Sequence, residues 1–353
     1  MELKIENLLE EVVKQNASDL HLTVGVPPML RVDGALKPFP GVQALTEKQV
    51  EEMIFSVVDE TQKDILIKDK EVDFSFAFGT VARFRANGYH QKGNKALALR
   101  LIPVDIRTIE DLCLPTVLNE LTELPRGLVL VTGPTGSGKS TTIAAMINKI
   151  NREKNLHIIT IEDPIEYSHA HDKSVIEQRE VHYDTRSFAA ALRSVLREDP
   201  DVVLIGEMRD LETIAAAITV AETGHLVFAT LHTNNAAQSL DRMIDVFPSY
   251  QQNQIRAQLS NILQGVVSQR LIPQIGGGRV AAAEIMISTP AVRNIIREGK
   301  THQLDAVIQT GGDRGMITMD KALVNLVKLG KITADEARDY AIDAHEVDRL
   351  LHN

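Results

Sequence analysis

Apolar and polar side chains recur with two different periods in the N-terminal part of the chain. Leu9, Val12 and Val13 fall on one helical face within residues 2–16, and this spacing predicts an amphipathic helix. Alternation of apolar and polar residues is typical of half-buried strands. It predicts four strands, over residues 20–24, 72–78, 81–90 and 95–102.

Turn and capping residues connect these elements. The dipeptides Asp33-Gly34 and Lys92-Gly93 are typical of tight turns. Thr46 and the glutamine three positions after it form a capping box, which predicts the start of a second helix. Together the elements predict a small α+β domain over residues 1–100.

A different pattern follows a connector over residues 101–115, which contains two prolines. Strands and helices now alternate, and the strands are short continuous apolar runs over residues 128–131, 158–161, 202–205 and 226–229. Such runs are typical of parallel strands that are covered on both faces. After about residue 249 the pattern predicts mostly helices, apart from a strand over 279–287. We therefore predict an α/β domain over residues 116–353.

A phosphate-binding sequence follows the first of the apolar runs. Residues 133–141 read GPTGSGKST and match the spacing G-x-x-x-x-G-K-[ST]. Glycines at this spacing let backbone N–H groups point at phosphate oxygens, and the helix predicted after them adds its positive dipole end. A chance match is disfavoured because a strand precedes the motif and a helix follows it. The residues predicted to bind ATP are Gly133, Pro134, Thr135, Gly136, Ser137, Gly138, Lys139, Ser140 and Thr141.

Within this loop two side chains have particular roles in phosphoryl transfer. Lys139 is expected to reach the β- and γ-phosphates, and Ser140 is expected to hold Mg²⁺.

Polar residues also follow the other three apolar runs, namely Glu162-Asp163, Gly206-Glu207, and Thr230 with His232. Carboxyl ends of parallel strands meet at one edge of a sheet, so these residues are expected near the phosphate loop. Hydrolysis needs a group that orients water and an acid that supports Mg²⁺. Glu162 and Glu207 are the two candidates, and the residues alone do not say which does which. Each pair taken singly is also compatible with an ordinary solvated strand end.

Two histidines accompany these acids. His232 and His225 are candidates to sense the γ-phosphate or to fix Glu207. A purely structural role is the alternative for both.

Three arginines of the first domain fall on one face of its predicted sheet. Arg83 and Arg85 are two residues apart, and the turn at Lys92-Gly93 sets Arg85 opposite Arg100. Facing like charges are unfavourable unless an anion binds them. Arginines supplied from another domain or subunit stabilise charge in phosphoryl transfer, so these three are candidate catalytic groups. The alternative is an arginine surface paired with local carboxylates.

Charge and composition limit the class of protein. The chain has 353 residues and a net charge of -10, which is the wrong sign for coating a duplex, so no direct nucleic-acid contact is expected. Its single cysteine excludes a disulfide framework or a four-cysteine zinc site within one chain. No apolar run is long enough to span a bilayer, and the N-terminus lacks the features of a signal peptide. We expect a cytoplasmic protein that meets a membrane only through a partner.

Taken together, these motifs make the chain resemble the superfamily of secretion-type ATPases. The resemblance rests on GPTGSGKST, on IEDPIEY (161–167), on DPDVVLIGEMRD (199–210) and on TGHLVFATLHT (223–233). The stretch 17–34 is similar to the opening of that family's PAS-like N-terminal domain. Residues 291–300, AVRNIIREGK, resemble the signature AIRNLIREGK of type IV pilus retraction ATPases, with conservative departures at Val292 and Ile295.

The resemblance implies a fold and a site. The fold is a PAS-like α+β domain followed by a RecA-like P-loop ATPase domain with a helical C-terminal part. ATP is bound between the two domains in each chain of a homohexameric ring. Glu162 polarises the attacking water, and Glu207 supports Mg²⁺. Arg83, Arg85 and Arg100 approach the phosphates, in their own chain or in a neighbouring one.

The same resemblance implies the function of a motor. The ring hydrolyses ATP and powers type IV pilus retraction and twitching motility, acting on a pilus platform protein of the inner membrane. A paralogous ATPase is a candidate partner. One alternative is an accessory retraction ATPase, or a secretion or DNA-transfer ATPase of the same superfamily. The other is a nucleotide-gated scaffold with little turnover.

The retraction signature also predicts a helix of its own. Thr289-Pro290 is typical of a helix start. Val292, Ile295 and Ile296 are expected to pack inward, whereas Arg293 and Arg297 share the outer face. Spacing alone is equally compatible with a solvated helix face. The family implies a role in retraction and not in hydrolysis.

Overall fold

The computed structural model describes residues 4–32, 34–79, 81–102 and 105–352. It divides into two compact units. Unit 1 is Met1–Asp105 with Glu166–Ser168, and unit 2 is Ile106–Ile165 with His169–Asn353. Asp33 of the predicted turn and residues 103–104 of the predicted connector lie outside the described residues.

Unit 1 is an antiparallel sheet with three helices. Its elements in chain order are α1 (Ile5–Lys14), β1 (Asp19–Leu22), β2 (Met29–Val32), β3 (Ala35–Pro38), α2 (Glu47–Phe55), α3 (Glu60–Asp69), β4 (Glu71–Phe78), β5 (Ala82–Gln91) and β6 (Asn94–Ile102). The sheet order is β3-β2-β1-β6-β5-β4.

Side-chain periodicity explains most of unit 1. Helix α1 buries Leu9 and Val12 in the core of the unit, as its spacing predicts, and buries Leu8 as well, whereas Val13 is only half-buried. Helix α2 begins with the predicted capping box, in which the Thr46 backbone N–H donates to the Gln49 side chain at 2.9 Å. The strands predicted over 72–78, 81–90 and 95–102 are confirmed as β4, β5 and β6.

Three elements of unit 1 were not predicted, namely β2, β3 and α3. All four residues of β3 are exposed, and α3 buries only Gln62 and Leu66. Neither element therefore carries the apolar period on which a sequence prediction depends.

Unit 2 is a mostly parallel sheet between helices. Its strands are β7 (Gly127–Thr132), β8 (His157–Glu162), β9 (Val175–Glu180), β10 (Val202–Ile205), β11 (Leu226–Leu231), β12 (Leu263–Pro273) and β13 (Arg279–Ile287). Its helices are α4 (Val117–Glu123), α5 (Lys139–Glu153), α6 (Phe188–Val195), α7 (Leu211–Glu222), α8 (Ala236–Asp245), α9 (Ser249–Ile262), α10 (Pro290–Glu298), α11 (Leu304–Thr310), α12 (Met319–Lys328), α13 (Ala334–Asp339) and α14 (Ala344–His352). The strand order is β13-β12-β7-β11-β10-β8-β9.

The apolar runs form the centre of this sheet. Every residue of β7, β10 and β11 is buried. Leu128 and Leu130 of β7 belong to one hydrophobic cluster, whereas Val129 and Val131 belong to the cluster on the opposite face. Each such side chain contributes about 1.5–3 kcal/mol when it is fully buried. Helices on both faces thus explain why these strands are apolar along their whole length.

The expectation of a mostly helical chain after about residue 249 is wrong for β12. This strand pairs in parallel with β7 and antiparallel with β13. It buries polar Ser268 and Gln269 along with its valines, so its sequence shows neither alternation nor a continuous apolar run. The predicted strand over 279–287 is confirmed as β13.

The helix predicted after Thr289 is confirmed as α10. Thr289 caps it, accepting a hydrogen bond from the Val292 N–H at 3.3 Å. Val292, Ile295 and Ile296 are buried, as expected. None of the helices in the described part of the chain has both the length and the apolar character needed to cross a bilayer.

Candidate active site

The phosphate loop connects the end of β7 to the start of α5. Gly133, Gly136 and Gly138 have φ values of 146°, 78° and 89°, a region that only glycine adopts freely. A Cβ atom on Gly133 would lie 2.5 Å from the carbonyl oxygen of Gln269. Any residue larger than glycine would therefore clash with Gln269 at this position.

The loop has the chemistry of an anion cradle. Lys139 is buried, and its Nζ donates to the carbonyl oxygens of Gly133 at 2.8 Å and of Pro134 at 3.1 Å. The Ser137 hydroxyl is buried without a hydrogen-bond partner among the described residues. Helix α5 adds the positive end of its dipole. A phosphate group supplies the acceptor atoms that these donors need, so the residues present fit the phosphates of ATP.

The remaining predicted loop residues border the cradle. Pro134 and Thr135 are exposed, whereas Ser140 and Thr141 are half-buried in the first turn of α5.

The acids and His232 lie at the same edge of the sheet as the loop. Strands β7, β11, β10 and β8 are neighbours in this order and run parallel. Glu162 ends β8, Glu207 follows β10 by two residues, and His232 follows β11 directly. Parallel strands that are adjacent bring these ends together.

His232 connects the loop to Glu207. Its Nε2 lies 3.2 Å from Oε1 of Glu207, and its Nδ1 shares a hydrogen bond of 3.3 Å with the Thr135 hydroxyl. Arg209 Nε donates to the same carboxylate at 2.6 Å. Burial works to raise the pKa of Glu207, but the hydrogen bond from Arg209 and the charge of His232 outweigh it and hold this pKa below its usual value. Glu207 is therefore a carboxylate at neutral pH.

Glu162 has different surroundings. Its Oε1 accepts hydrogen bonds from the Thr160 hydroxyl at 2.6 Å and from Gln178 Nε2 at 3.2 Å. Both donors are neutral, in contrast to the cationic partners of Glu207. The two acids are therefore distinguished by their partners, which the sequence did not reveal.

His225 does not belong to this site. It precedes β11 and so lies at the opposite edge of the sheet from His232, with its Nδ1 3.0 Å from the carbonyl oxygen of Val220. The suggestion that it senses the γ-phosphate is wrong.

Sequence reasoning missed the residues that support the loop from β12. Gln269 donates to the Thr142 hydroxyl at 2.8 Å, and the Thr132 hydroxyl donates to Ser268 at 2.9 Å. Both contacts are buried. It also missed Arg209, although that residue stands two positions after Glu207 in the motif itself.

A cavity of about 500 Å³ in unit 2 borders the loop. Gly138, Thr141 and Thr142 line it on the loop side, together with Cys113, Leu271, Arg279 and Lys331. Its size is within the range of small-ligand pockets. It offers space for the base and sugar of a nucleotide whose phosphates lie on the loop.

In unit 1, the three arginines share one face as the register requires. Arg85 of β5 lies directly opposite Arg100 of β6. Asp19 of β1 lies opposite Arg100 on one side and opposite Arg31 of β2 on the other. Arg100 Nε donates to Asp19 at 2.9 Å. Burial works to raise the pKa of Asp19, but hydrogen bonds from Ser18 and Arg100 outweigh it and lower this pKa. One local carboxylate thus serves two arginines of this row.

Arg83 lies two residues before Arg85 on β5, and its guanidinium donates a hydrogen bond to the Ser75 hydroxyl at 2.6 Å. A shallow pocket of about 310 Å³ lies on this face of unit 1, lined by Asp19, His21, Asp73, Arg85, Asn87 and Arg100. Arg100 is 68% exposed there, so a guanidinium is available to an anion.

Within the described ranges, no group of three or more His, Cys, Asp or Glu side chains is arranged to hold a metal ion. Mg²⁺ beside a nucleotide is usually bound by one or two protein oxygens together with phosphates and water. The Ser140 hydroxyl and the Glu207 carboxylate carry oxygen atoms of the type that would suit Mg²⁺.

Comparison with known proteins identifies the family to which the chain belongs. The sequence profile described as "Type II/IV secretion system protein" matches residues 1–277. The chain is 52% identical over 339 residues to the Pseudomonas aeruginosa protein named "Type IV pilus retractation ATPase PilT", a match that covers 96% of this chain and 98% of that protein. It is 51% identical over 312 residues to the "Twitching motility protein" of Neisseria gonorrhoeae, covering 88% and 83% of the two chains.

A solved structure agrees over the same length. The crystal structure titled as the pilus retraction motor PilT with bound ADP has a TM-score of 0.92 and 50% identity. The match covers 99% of this chain and 100% of that chain. The comparison extends over both units and therefore supports the predicted α/β fold.

Proposed function

We propose, from the premise that this chain belongs to the type II/IV secretion system protein family, that it is the ATPase motor of type IV pilus retraction. The observation that carries the ATPase activity is the edge of the unit 2 sheet. There the side chain of Lys139 bonds to the backbone of the phosphate loop, and His232 contacts both Thr135 of this loop and Glu207. The assignment to pilus retraction is supported by full-length similarity to the retraction ATPase and to the twitching motility protein.

A role is proposed for each site residue from its position and contacts. Lys139 moves from the Gly133 and Pro134 carbonyls to the β- and γ-phosphates. Ser140 and Glu207 would hold Mg²⁺, and the chemistry that this ion would supply is neutralisation of phosphate charge. Glu162 orients the attacking water, an assignment supported by its place at the end of β8, at the same edge of the sheet as the phosphate loop.

His232 and the arginine face complete the proposed site. His232 holds Glu207 in place and senses the phosphates through its hydrogen bond to Thr135 of the loop. Arg83, Arg85 and Arg100 supply positive charge to the phosphates, in their own chain or in a neighbouring one. Loss of the γ-phosphate removes an anion that these groups bind, which changes the conformation favoured by the motor.

The motor is proposed to work as a homohexameric ring in the cytoplasm, attached to the inner membrane through a pilus platform protein. The names of two relatives refer to a pilus and to twitching motility. A pilus and twitching both belong to the cell surface, and an ATP-driven motor would serve them from inside the cell. A paralogous ATPase is a further proposed partner.

Deletion of the gene, followed by complementation, tests the proposal. The deletion strain is expected to carry excess surface pili that do not retract, and the wild-type gene is expected to restore retraction. Complementation with Lys139→Ala should fail, whereas Lys149→Ala, which removes a half-buried lysine paired with Glu153 on the same helix, should succeed. Normal pilus numbers and twitching in the deletion strain would contradict a retraction motor and favour an accessory role.

The scaffold alternative is separated by enzymology. Steady-state phosphate release from the purified wild-type protein, compared with Glu162→Gln, is the measurement. Turnover in the wild type that is lost in the variant supports a motor. Equal, very low release from both proteins would favour a nucleotide-gated scaffold.

A further inference from the structure

Glu284 is a buried acid that the proposed chemistry does not use. It lies in β13 and is 4% exposed. Its Oε1 accepts a hydrogen bond of 3.0 Å from the backbone N–H of Ala236, which is the first residue of α8. A carboxylate at this point faces the positive end of the α8 dipole, where negative charge is stabilising.

The first turn of α8 is continuous with the segment that carries His232. Asn235 caps the helix by accepting the Gln238 N–H at 2.9 Å. The Thr233 hydroxyl lies 2.6 Å from that of Ser239, which in turn donates to the Asn235 carbonyl at 2.6 Å. These bonds hold residues 232–236 to the helix, so a shift of the helix start moves His232 with it.

The strand pair that contains Glu284 also contacts the strand that leads into the phosphate loop. Glu284 is paired in register with Ser268 of β12. Ser268 accepts a hydrogen bond of 2.9 Å from Thr132, the residue before Gly133. The β12–β13 pair therefore holds the strand that leads into the loop on one side and the histidine segment on the other.

We infer that Glu284 is a positioning residue for His232, because its carboxylate fixes the start of α8 and thereby keeps the histidine against Glu207. The inference rests on the proposed ATPase function. Glu284 itself does not touch the phosphate loop or the two candidate acids. It acts through the three residues of backbone that separate His232 from Ala236.

The charges around Glu284 bear on how it responds to pH. Asp305 on α11 and Asp320 on α12 act to raise the pKa of Glu284, and Arg270 on β12 acts to lower it. Burial is the largest influence and raises this pKa to about 7, against the lowering effect of the Ala236 hydrogen bond. The carboxyl therefore gains and loses its charge in the neutral range, and its attraction for the helix start changes with it.

The test compares Glu284→Ala and Glu284→Gln with the wild type in steady-state ATP turnover. Alanine leaves the Ala236 N–H without its acceptor, and we expect kcat to fall about tenfold with KM changed less than about twofold. Glutamine restores an acceptor without the charge, so it should recover part of kcat. Asp320→Asn is the matched control, since Asp320 is also a buried acid that accepts backbone N–H groups, but from Ile342 and Asp343.

Two further readouts separate positioning from a general structural role. Hydrogen exchange should increase in residues 232–240 of the alanine variant, with α10 unchanged. The pH dependence of kcat should lose a step near neutrality in the glutamine variant. Asp320→Asn should keep this step but move it to lower pH, because Asp320 acts to raise the pKa of Glu284. Where the alanine variant does not fold, the glutamine variant carries the test.

The outcomes are distinguishable. If the wild type hydrolyses ATP and the glutamine variant matches it in kcat and in pH profile, the inference is wrong while the proposed function stands. A change in KM alone would likewise overturn it. A wild-type protein without turnover would overturn the proposed function itself.

Discussion

Arg85 and Arg100 face each other directly across β5 and β6, two like charges on one face of the unit 1 sheet. Asp19 relieves part of the repulsion by accepting a hydrogen bond from Arg100 at 2.9 Å. The same carboxylate lies 3.6 Å from Arg31. Positive charge therefore exceeds negative charge along this row. Such an arrangement costs stability in the absence of an anion, which is typical of a binding surface.

Removal of Arg85 should therefore separate activity from stability. Arg85→Ala is expected to lower ATP turnover by about tenfold or more, because it removes a cation from the phosphates. The free energy of unfolding should stay unchanged or rise by up to about 1 kcal/mol, because the repulsion disappears. Chemical denaturation and a phosphate-release assay measure the two effects.

Arg31→Ala is the control for this prediction, because Arg31 is in the same row but is not proposed to meet the phosphates. It should keep turnover close to that of the wild type. Wild-type turnover in Arg85→Ala would mean that the arginine face serves another purpose.

The phosphate loop gives a steric prediction. Gly133→Ala brings a Cβ to within 2.5 Å of the Gln269 carbonyl oxygen, so the loop must move and nucleotide binding should be lost. Gly136→Ala is the matched control, since it also has positive φ but no atom within 4 Å of the added Cβ. It should cost only about 1–2 kcal/mol of backbone strain. Binding of a fluorescent ATP analogue and thermal unfolding are the measurements, and equal affinity in the two variants would contradict the steric argument.

How far the sequence could predict this site depends on where the partner of each residue lies in the chain. The loop and the four strands β7, β8, β10 and β11 were predictable, because apolar runs such as Val202–Ile205 and the glycine spacing are local signals. Strand β12 was not, because Ser268 and Gln269 are polar residues whose buried partners, Thr132 and Thr142, lie more than a hundred positions away. A buried polar residue with a distant partner looks like a surface residue in one sequence.

The candidate acids show the same limit. The ends of β8 and β10 were expected to lie at one edge, and they do. The sequence could not distinguish Glu162 from Glu207, since that difference is made by Thr160 and Gln178 on one side and by Arg209 and His232 on the other. Helix α10, in contrast, was predictable in detail because its cap and apolar face are local.

His232 should control how well Glu207 supports Mg²⁺. His232→Ala removes the 3.2 Å contact to Glu207, and loss of such a supporting contact typically weakens a metal site by about 10–100-fold. We expect a higher apparent Mg²⁺ requirement for turnover and unchanged binding of ATP in the absence of Mg²⁺. Titration of Mg²⁺ at saturating ATP is the measurement. His225→Ala, at the other edge of the sheet, should leave the Mg²⁺ requirement as it is, and a shift equal to that of His232→Ala would refute the assignment.

Glu284 should make the folded protein less stable as the pH rises. Its pKa in the folded protein is about 7, above the ordinary glutamate value of 4.5, so between these two pH values the folded state holds a proton that the unfolded state has lost. The free energy of unfolding should fall there by up to about 1.4 kcal/mol per pH unit from this group. Above about pH 7 the loss is complete.

Glu284→Gln removes this contribution, and the comparison with the wild type isolates it from every other titration. Denaturant unfolding at several pH values across this range should give curves that converge at low pH and separate as the pH increases, with the variant relatively more stable. Parallel curves would show that Glu284 keeps an ordinary pKa.

The outer face of α10 should matter for retraction and not for hydrolysis. Arg293 contacts Ser288 at 3.2 Å and Arg297 contacts Ser260 at 3.4 Å, so the arginines are held on the helix surface by neutral partners, away from the phosphate loop contacts described above. Replacing both by alanine should therefore leave ATP turnover within about twofold of the wild type and abolish pilus retraction. Arg314→Ala, which removes another exposed arginine of unit 2, should affect neither. If the double variant loses turnover and retraction in equal measure, α10 belongs to the catalytic machinery, and the separation of force transmission from hydrolysis fails.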